Sequence, residues 1–134
     1  MTTELFIPKP AQAVATTLIA EGLPSSHSDV WVATKVPNPR QPRMVRPSRM
    51  PGGGLAANGA SDRVRLLVEC WADDEGDAED LANVVRAVLN ASPGRWALDA
   101  FVRHWKEDGG PYSWPDESGQ ERWQMTGELL LKVG

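Results

Sequence analysis

Four arginines recur at every third residue of a proline-rich stretch: Arg40, Arg43, Arg46 and Arg49, with Pro37, Pro39, Pro42 and Pro47 around them. A polyproline-like backbone turns once in three residues and would set all four guanidinium groups on one edge, whereas a true strand alternates them between faces. The chemistry on offer is ion pairing: such a row suits carboxylates, phosphates or another subunit, and it equally suits a solvated sheet edge guarded by charge and proline. Six tryptophans form the second feature, Trp31, Trp71, Trp96, Trp105, Trp114 and Trp123. A small core seldom hides so many completely, and tryptophan is enriched where protein meets protein. Core packing accounts for most of them individually; Trp114, in a Gly/Pro loop, is expected at an intersubunit contact.

Other constellations fall short of a reaction centre. His27, His104 and Cys70 contain no spaced pair of the kind zinc requires, so no metal is expected. Placing Gly76 of the acidic run Asp73-Asp74-Glu75-Gly76-Asp77 at the sixth position of a calcium loop puts Trp71 first and Ala82 twelfth, where oxygen ligands belong. Those acids fit a helix start better. Gly52-Gly53-Gly54 lacks the following Lys-Ser or Lys-Thr of a phosphate cradle. Ser25-Ser26-His27-Ser28-Asp29 holds the residue types of a catalytic triad, but side chains this close in sequence rarely converge, and a turn is expected. No catalytic residue and no cofactor is expected.

The elements that position these groups centre on Arg63 to Leu89. Val64, Leu66, Val68 and Cys70 fall on one face at period two, with Arg63, Arg65 and Glu69 mainly on the other, which predicts a strand with one buried face. Cys70 then reads as a small buried hydrophobe. From Asp73 the period lengthens: Ala78, Leu81, Ala82, Val85, Val88 and Leu89 stack on one side of a helix capped by Asp73 or Asp74 and stopped by Asn90 and Pro93-Gly94.

Before this core, Pro8 and Pro10 open a first helix whose apolar side is Ala11, Val14, Ala15, Leu18 and Ile19. Residues 30–36 alternate as a strand, the arginine-proline stretch 40–49 reads as an edge strand, and residues 50–61 read as a mobile Gly-rich loop joining two antiparallel strands. After the core, residues 96–107 predict one strand with Trp96, Leu98, Ala100 and Val102 on one face and Phe101 and Trp105 on the other. A second loop at 109–116 precedes a last strand with Trp123, Met125, Gly127, Leu129, Leu131 and Val133 inward. The whole predicts a single α+β domain, an antiparallel or mixed sheet of about five strands with two helices packed on it.

A chain of 134 residues supports one ordinary core. Its net charge of −4 does not call for nucleic acid or an anionic membrane as partner. The first residues carry no charged region followed by an apolar one, and no apolar run approaches the roughly 20 residues that span a bilayer. A soluble protein of a reducing cytoplasm, without an export signal, is expected.

Several peptides together resemble one known group. They are Val36-Pro37-Asn38-Pro39-Arg40, then Arg43 to Arg49, then Leu67-Val68-Glu69-Cys70-Trp71-Ala72 leading into Ala78-Glu79-Asp80-Leu81-Ala82 and Val85-Arg86, with Pro115-Asp116 and Arg122-Trp123-Gln124 before the final strand. The pattern is similar to the tail terminator (tail completion) proteins of long-tailed bacteriophages, the actinobacterial-phage type, and related head-tail connector proteins of the neck look alike at this level. The resemblance implies a structural subunit that assembles in the host cytoplasm into a ring, a hexamer in this group, and resides in the virion. That ring caps the tail tube protein, ends its polymerisation, meets the head connector and lets DNA pass through its lumen without specific binding. Asp116 and Arg122 thereby join Arg40, Arg43, Arg46, Arg49 and Trp114 as expected subunit-interface residues.

Overall fold

The structure is a computed structural model describing residues 4–134. The expectation of no export signal draws partly on Met1–Thr3, which lie outside the described residues. Helix α1 (Ala11–Gly22) begins after Pro10 and buries Ala11, Val14, Ala15, Leu18 and Ile19, the stripe its spacing predicts. A short 3-10 turn (Ser25–His27) leads to a two-residue strand, β1 (Trp31–Val32). The predicted strand 30–36 is cut short. β1 runs parallel to β2 (Met44–Arg49) over Trp31↔Met44 and Val32↔Val45, and two residues on Pro47 has no N–H with which to continue that ladder.

The predicted mobile loop 50–61 is largely a hairpin arm. Strand β3 (Gly54–Ala56) pairs antiparallel with the start of β4 (Ser61–Ala72), along the same edge that β2 occupies further on. Between β2 and β3 the chain kinks through Gly52-Gly53-Gly54. Gly53 has φ +74°, and a Cβ there would collide with the Arg63 carbonyl oxygen, so only glycine lets the arm lie this close to β4. Three residues cannot display a period, so the local pattern reads as a mobile loop; the edge of β4 orders them.

Helix α2 (Glu75–Asn90) starts where expected, with Asp74 accepting a 2.9 Å hydrogen bond from the Asp77 N–H, and buries Ala78, Leu81, Ala82, Val85 and Leu89. The predicted strand 96–107 is instead a hairpin. β5 (Trp96–Ala97) turns through Leu98-Asp99, both at positive φ, into β6 (Ala100–Ser113). A register shift between Val102 and His104 puts Trp105 on the buried face with Val102, not opposite it. β6 also consumes most of the loop expected at 109–116, leaving Trp114 to Gln120 as the connection to β7 (Glu121–Lys132).

Among the described residues the sheet has seven strands, two more than expected, in the order β1-β2-β4-β7-β6-β5 with β3 on the edge of β4; all pairs are antiparallel except β1 with β2. Both helices cover one face, where Val64, Leu66, Val68, Cys70, Met125, Leu129 and Leu131 meet them in one core. Burial raises the Cys70 thiol pKa far above its usual value, in keeping with a packing role. Gly127 sits in this inward row because the Trp105 indole lies across it; a Cβ there would strike the ring. The other face curls. Arg65 on β4 reaches Asp108 on β6 at 2.8 Å although β7 lies between them, which a flat sheet with about 4.8 Å between strands would not allow so easily. The α+β class and single core stand as expected. Among the described residues no helix is long and apolar enough to cross a membrane.

Candidate functional site

Four of the expected interface residues converge on the uncovered face at the β4 C-terminus. Alternation along β4 turns Cys70 into the core and therefore turns Glu69 and Trp71 to the opposite side, beside Arg46 and Met44 of β2 and Gln124 and Arg122 of β7. Trp71 is 1% exposed there. Three guanidinium groups surround its indole, Arg46 at 5.5 Å, Arg40 at 5.7 Å and Arg122 at 5.8 Å from the ring centroid, all within cation–π range.

Two carboxylates balance the three cations. Glu69 Oε1 accepts from Arg46 Nε at 2.9 Å and Nη2 at 2.7 Å, and Glu69 Oε2 accepts from Arg122 Nη1 at 3.0 Å. Asp116 Oδ2 accepts from Arg40 Nη2 at 2.7 Å, Trp71 Nε1 at 2.9 Å and Ser118 Oγ at 3.0 Å. Burial opposes ionisation of Asp116, but the hydrogen bonds from Ser118 and Trp71 and the charges of Arg40 and Arg122 outweigh it and hold the carboxyl below its usual range. Gln120 completes the enclosure, accepting from Arg40 Nε at 2.6 Å and donating to the Gln41 carbonyl at 3.0 Å.

The arrangement fastens two connecting segments, the one before β2 and the one before β7, over the end of β4. Its groups are saturated by one another, so its chemistry is cohesion. Arg40, Arg46, Asp116 and Arg122 of the seven expected interface residues meet here. Arg43 and Arg49 do not: Arg43 pairs with Asp29 and donates to the Ser26 carbonyl at 3.0 Å, and Arg49 pairs with Asp62 at 3.0 Å. The shared edge of a polyproline row is therefore not formed, because residues 44–49 are a strand and send Arg46 and Arg49 to opposite faces. Trp114 is 57% exposed and meets Tyr112 edge-on at 6.5 Å, while its backbone carbonyl accepts from Arg122 Nε at 2.9 Å. Arg122 thus supports the loop that displays Trp114.

Glu69 and Trp71 were missed as the centre of this cluster. The available signal was an aromatic two residues from an acid on a strand's nominally polar face, which is costly unless something covers both. A second constellation was also misjudged in part. His27 is buried, with Ser26 Oγ 2.8 Å from Nδ1 and Asp80 Oδ2 3.2 Å from Nε2, so an acid 53 positions away completes a hydroxyl–imidazole–carboxylate row that the local peptide could not. It ties the 3-10 turn to α2. Beside it lies a cavity of about 440 Å³ lined by Leu23, Pro24, Val30, Trp31 and Val32 together with the polar Ser25, His27 and Ser28. Among the described residues, no group of three His, Cys, Asp or Glu side chains is placed to hold a metal ion.

Compared with known protein families and with curated proteins, the chain matches none.

Proposed function

We propose that this chain is a non-enzymatic building block of a phage particle: a tail terminator, the repeating subunit of a ring that caps the tail tube, stops its growth and offers the surface to which the head connector joins. One observation carries the reading. Three tryptophans, Trp31, Trp96 and Trp114, keep 45%, 62% and 57% of their surface in water at separate places, around a subunit whose core is closed and whose central charge cluster is internally satisfied. Apolar surface distributed in this way suits contacts with other chains, and different patches on different sides suit the head-to-tail contacts that close a ring. The sequence resemblance points the same way. A mildly acidic chain also suits a lumen that passes DNA without gripping its phosphates.

The test is to add the purified chain to polymerising tail tube protein and follow tube length and tube ends by electron microscopy. Capped tubes of arrested length, each ending in a ring, are expected; unrestrained growth with bare ends overturns the reading. A ring seated on the portal side instead would make the chain a neck connector.

The Ser26–His27–Asp80 row supports a second reading, a small hydrolase. It ranks lower because Asp80 is 65% exposed, whereas the orienting carboxylate of a triad works from a dry site. Ester hydrolysis that disappears in Ser26→Ala would reverse the ranking.

A further inference from the structure

The β5–β6 hairpin breaks a local rule. A two-residue hairpin turn with both φ values positive favours Asn-Gly or Asp-Gly, yet here Leu98 occupies the first position at φ +47° and Asp99 the second at φ +60°. The strain serves no packing within the subunit: Leu98 is 51% exposed. Beside it Trp96 and Phe101 stack with centroids 5.1 Å apart, Trp96 largely in water. The tip is therefore an apolar knob held out by strained backbone, and strain of this kind clusters at functional sites. Its flanks are cationic. Among the described residues neither Arg95 nor Arg103 has a carboxylate within ion-pair distance, and Asp99 is the one acid on the turn.

Elsewhere on the molecule the complement is present. The cavity beside Trp31 is open to solvent and mainly apolar in its lining, and the His27–Asp80 contact places it next to the first turns of α2. Asp73, Asp74, Glu75, Asp77, Glu79 and Asp80 are all exposed along that start of the helix, more acid than a helix start uses. Hydrogen bonding with Asp74 and its charge raise the Asp77 pKa, with Asp80 adding to the effect and Arg43 only partly offsetting it, as happens where acids crowd with too few cations.

We infer that the hairpin tip of one copy, Trp96, Leu98 and Phe101 flanked by Arg95 and Arg103, seats in the Trp31 cavity of the next copy, with the arginines against the acidic start of α2. The occupant is a second copy of this chain because apolar knob and largely apolar socket, cationic flank and acidic neighbouring helix start, are supplied by the same sequence at opposite ends of the strand order. Such a contact is heterologous and propagates until it closes. It rests on the ring reading and names that ring's joint.

The decisive variant is Leu98→Asn in the full chain. Asparagine tolerates positive φ, so the fold should keep or gain thermal stability while association, read by light scattering over a concentration series and by rings on tail tubes, weakens roughly tenfold or more. Arg103→Glu and Asp77→Lys should each weaken it similarly, and the double variant should restore it, since every joint then carries the swapped pair. Wild-type association with Leu98→Asn unaffected, or no rescue in the double variant, overturns this joint and leaves the ring reading standing. Rings that persist in Leu98→Asn but no longer bind tubes would place the hairpin on the tube protein and also overturn it. A wild-type chain that stays monomeric even beside tubes removes both.

Discussion

Trp71 and Trp96 are both indoles near the end of a strand, and the chain treats them in opposite ways. Trp71 lies on the sheet face that no helix covers, yet it is 1% exposed, because Arg40, Arg46 and Arg122 lie against its ring and Asp116 takes its N–H. Trp96 stacks on Phe101 and keeps 62% of its surface in water. The neighbouring charges differ in the same sense. Every guanidinium at Trp71 has found a carboxylate in its own chain, whereas Arg95 and Arg103 beside Trp96 have found none among the described residues. Whether an arginine is spent within the subunit therefore separates cohesion from docking better than its position in the sequence does.

The comparison breaks if Trp71 proves dispensable. Trp71→Ala should cost about 3–5 kcal/mol, the usual range for removing a buried tryptophan, because it empties the site and takes the ring face from three guanidinium groups and one of three donors from Asp116. Equilibrium urea unfolding measures it directly. A loss under about 1 kcal/mol would mean that water fills the site at little cost and that the cluster is surface decoration. The loop before β7 should loosen in the same variant, visible as faster amide exchange at residues 116–120.

Much of the fold is legible in the sequence, and the illegible parts share a cause. Both helices and the faces of β4 and β7 follow from period alone, since each is long enough to show it. β3 is three residues, and β1 is two; their pairing is decided by the neighbouring edge, which no local pattern reports. Trp105 appears on the wrong face because a single irregularity after Val102 reverses the alternation. The arginine row was visible as charge, but its meaning depended on partners 23 residues away at Glu69 and 76 away at Asp116. Glu69 looked like a solvated residue because the sheet curl and the loop that cover it are tertiary facts. Arg46 consequently belongs first to the fold, and so does Arg43, whose side chain is 24% exposed and bonded to Asp29 and the Ser26 carbonyl, so a charge reversal at either cannot serve as a clean interface probe.

A smaller effect sharpens the closed side of the comparison through pH. The folded-state pKa of Asp116 is depressed, so its contribution to stability is present above the unfolded carboxyl value of about 3.9 and is lost as pH falls through the folded value. Asp116→Asn should be less stable than the wild type at pH 7, and the gap should narrow steadily as pH drops below about 4. Thermal melts at pH 7, 5, 4 and 3 suffice. A gap that stays constant with pH would show that shape and hydrogen bonding at the site matter and that ionisation of Asp116 does not.

The smallest change in stability is expected at the open side. Trp96→Ser removes an exposed indole that makes a tilted stack on Phe101, so stability should move by no more than about 0.5 kcal/mol, the span typical of surface substitutions. Apolar area that is in water in both the folded and the unfolded chain contributes nothing to folding, so its removal costs the fold little; the stack itself supplies only a fraction of what a buried aromatic does. Association should fall all the same, because the same indole contributes its full area once a partner covers it. The two measurements must therefore diverge, with urea midpoint unchanged and the concentration needed for assembly raised. If both fall together, Trp96 is anchoring the hairpin to its own subunit in the manner of Trp71, and the distinction between spent and available surface fails at the point where it is easiest to test.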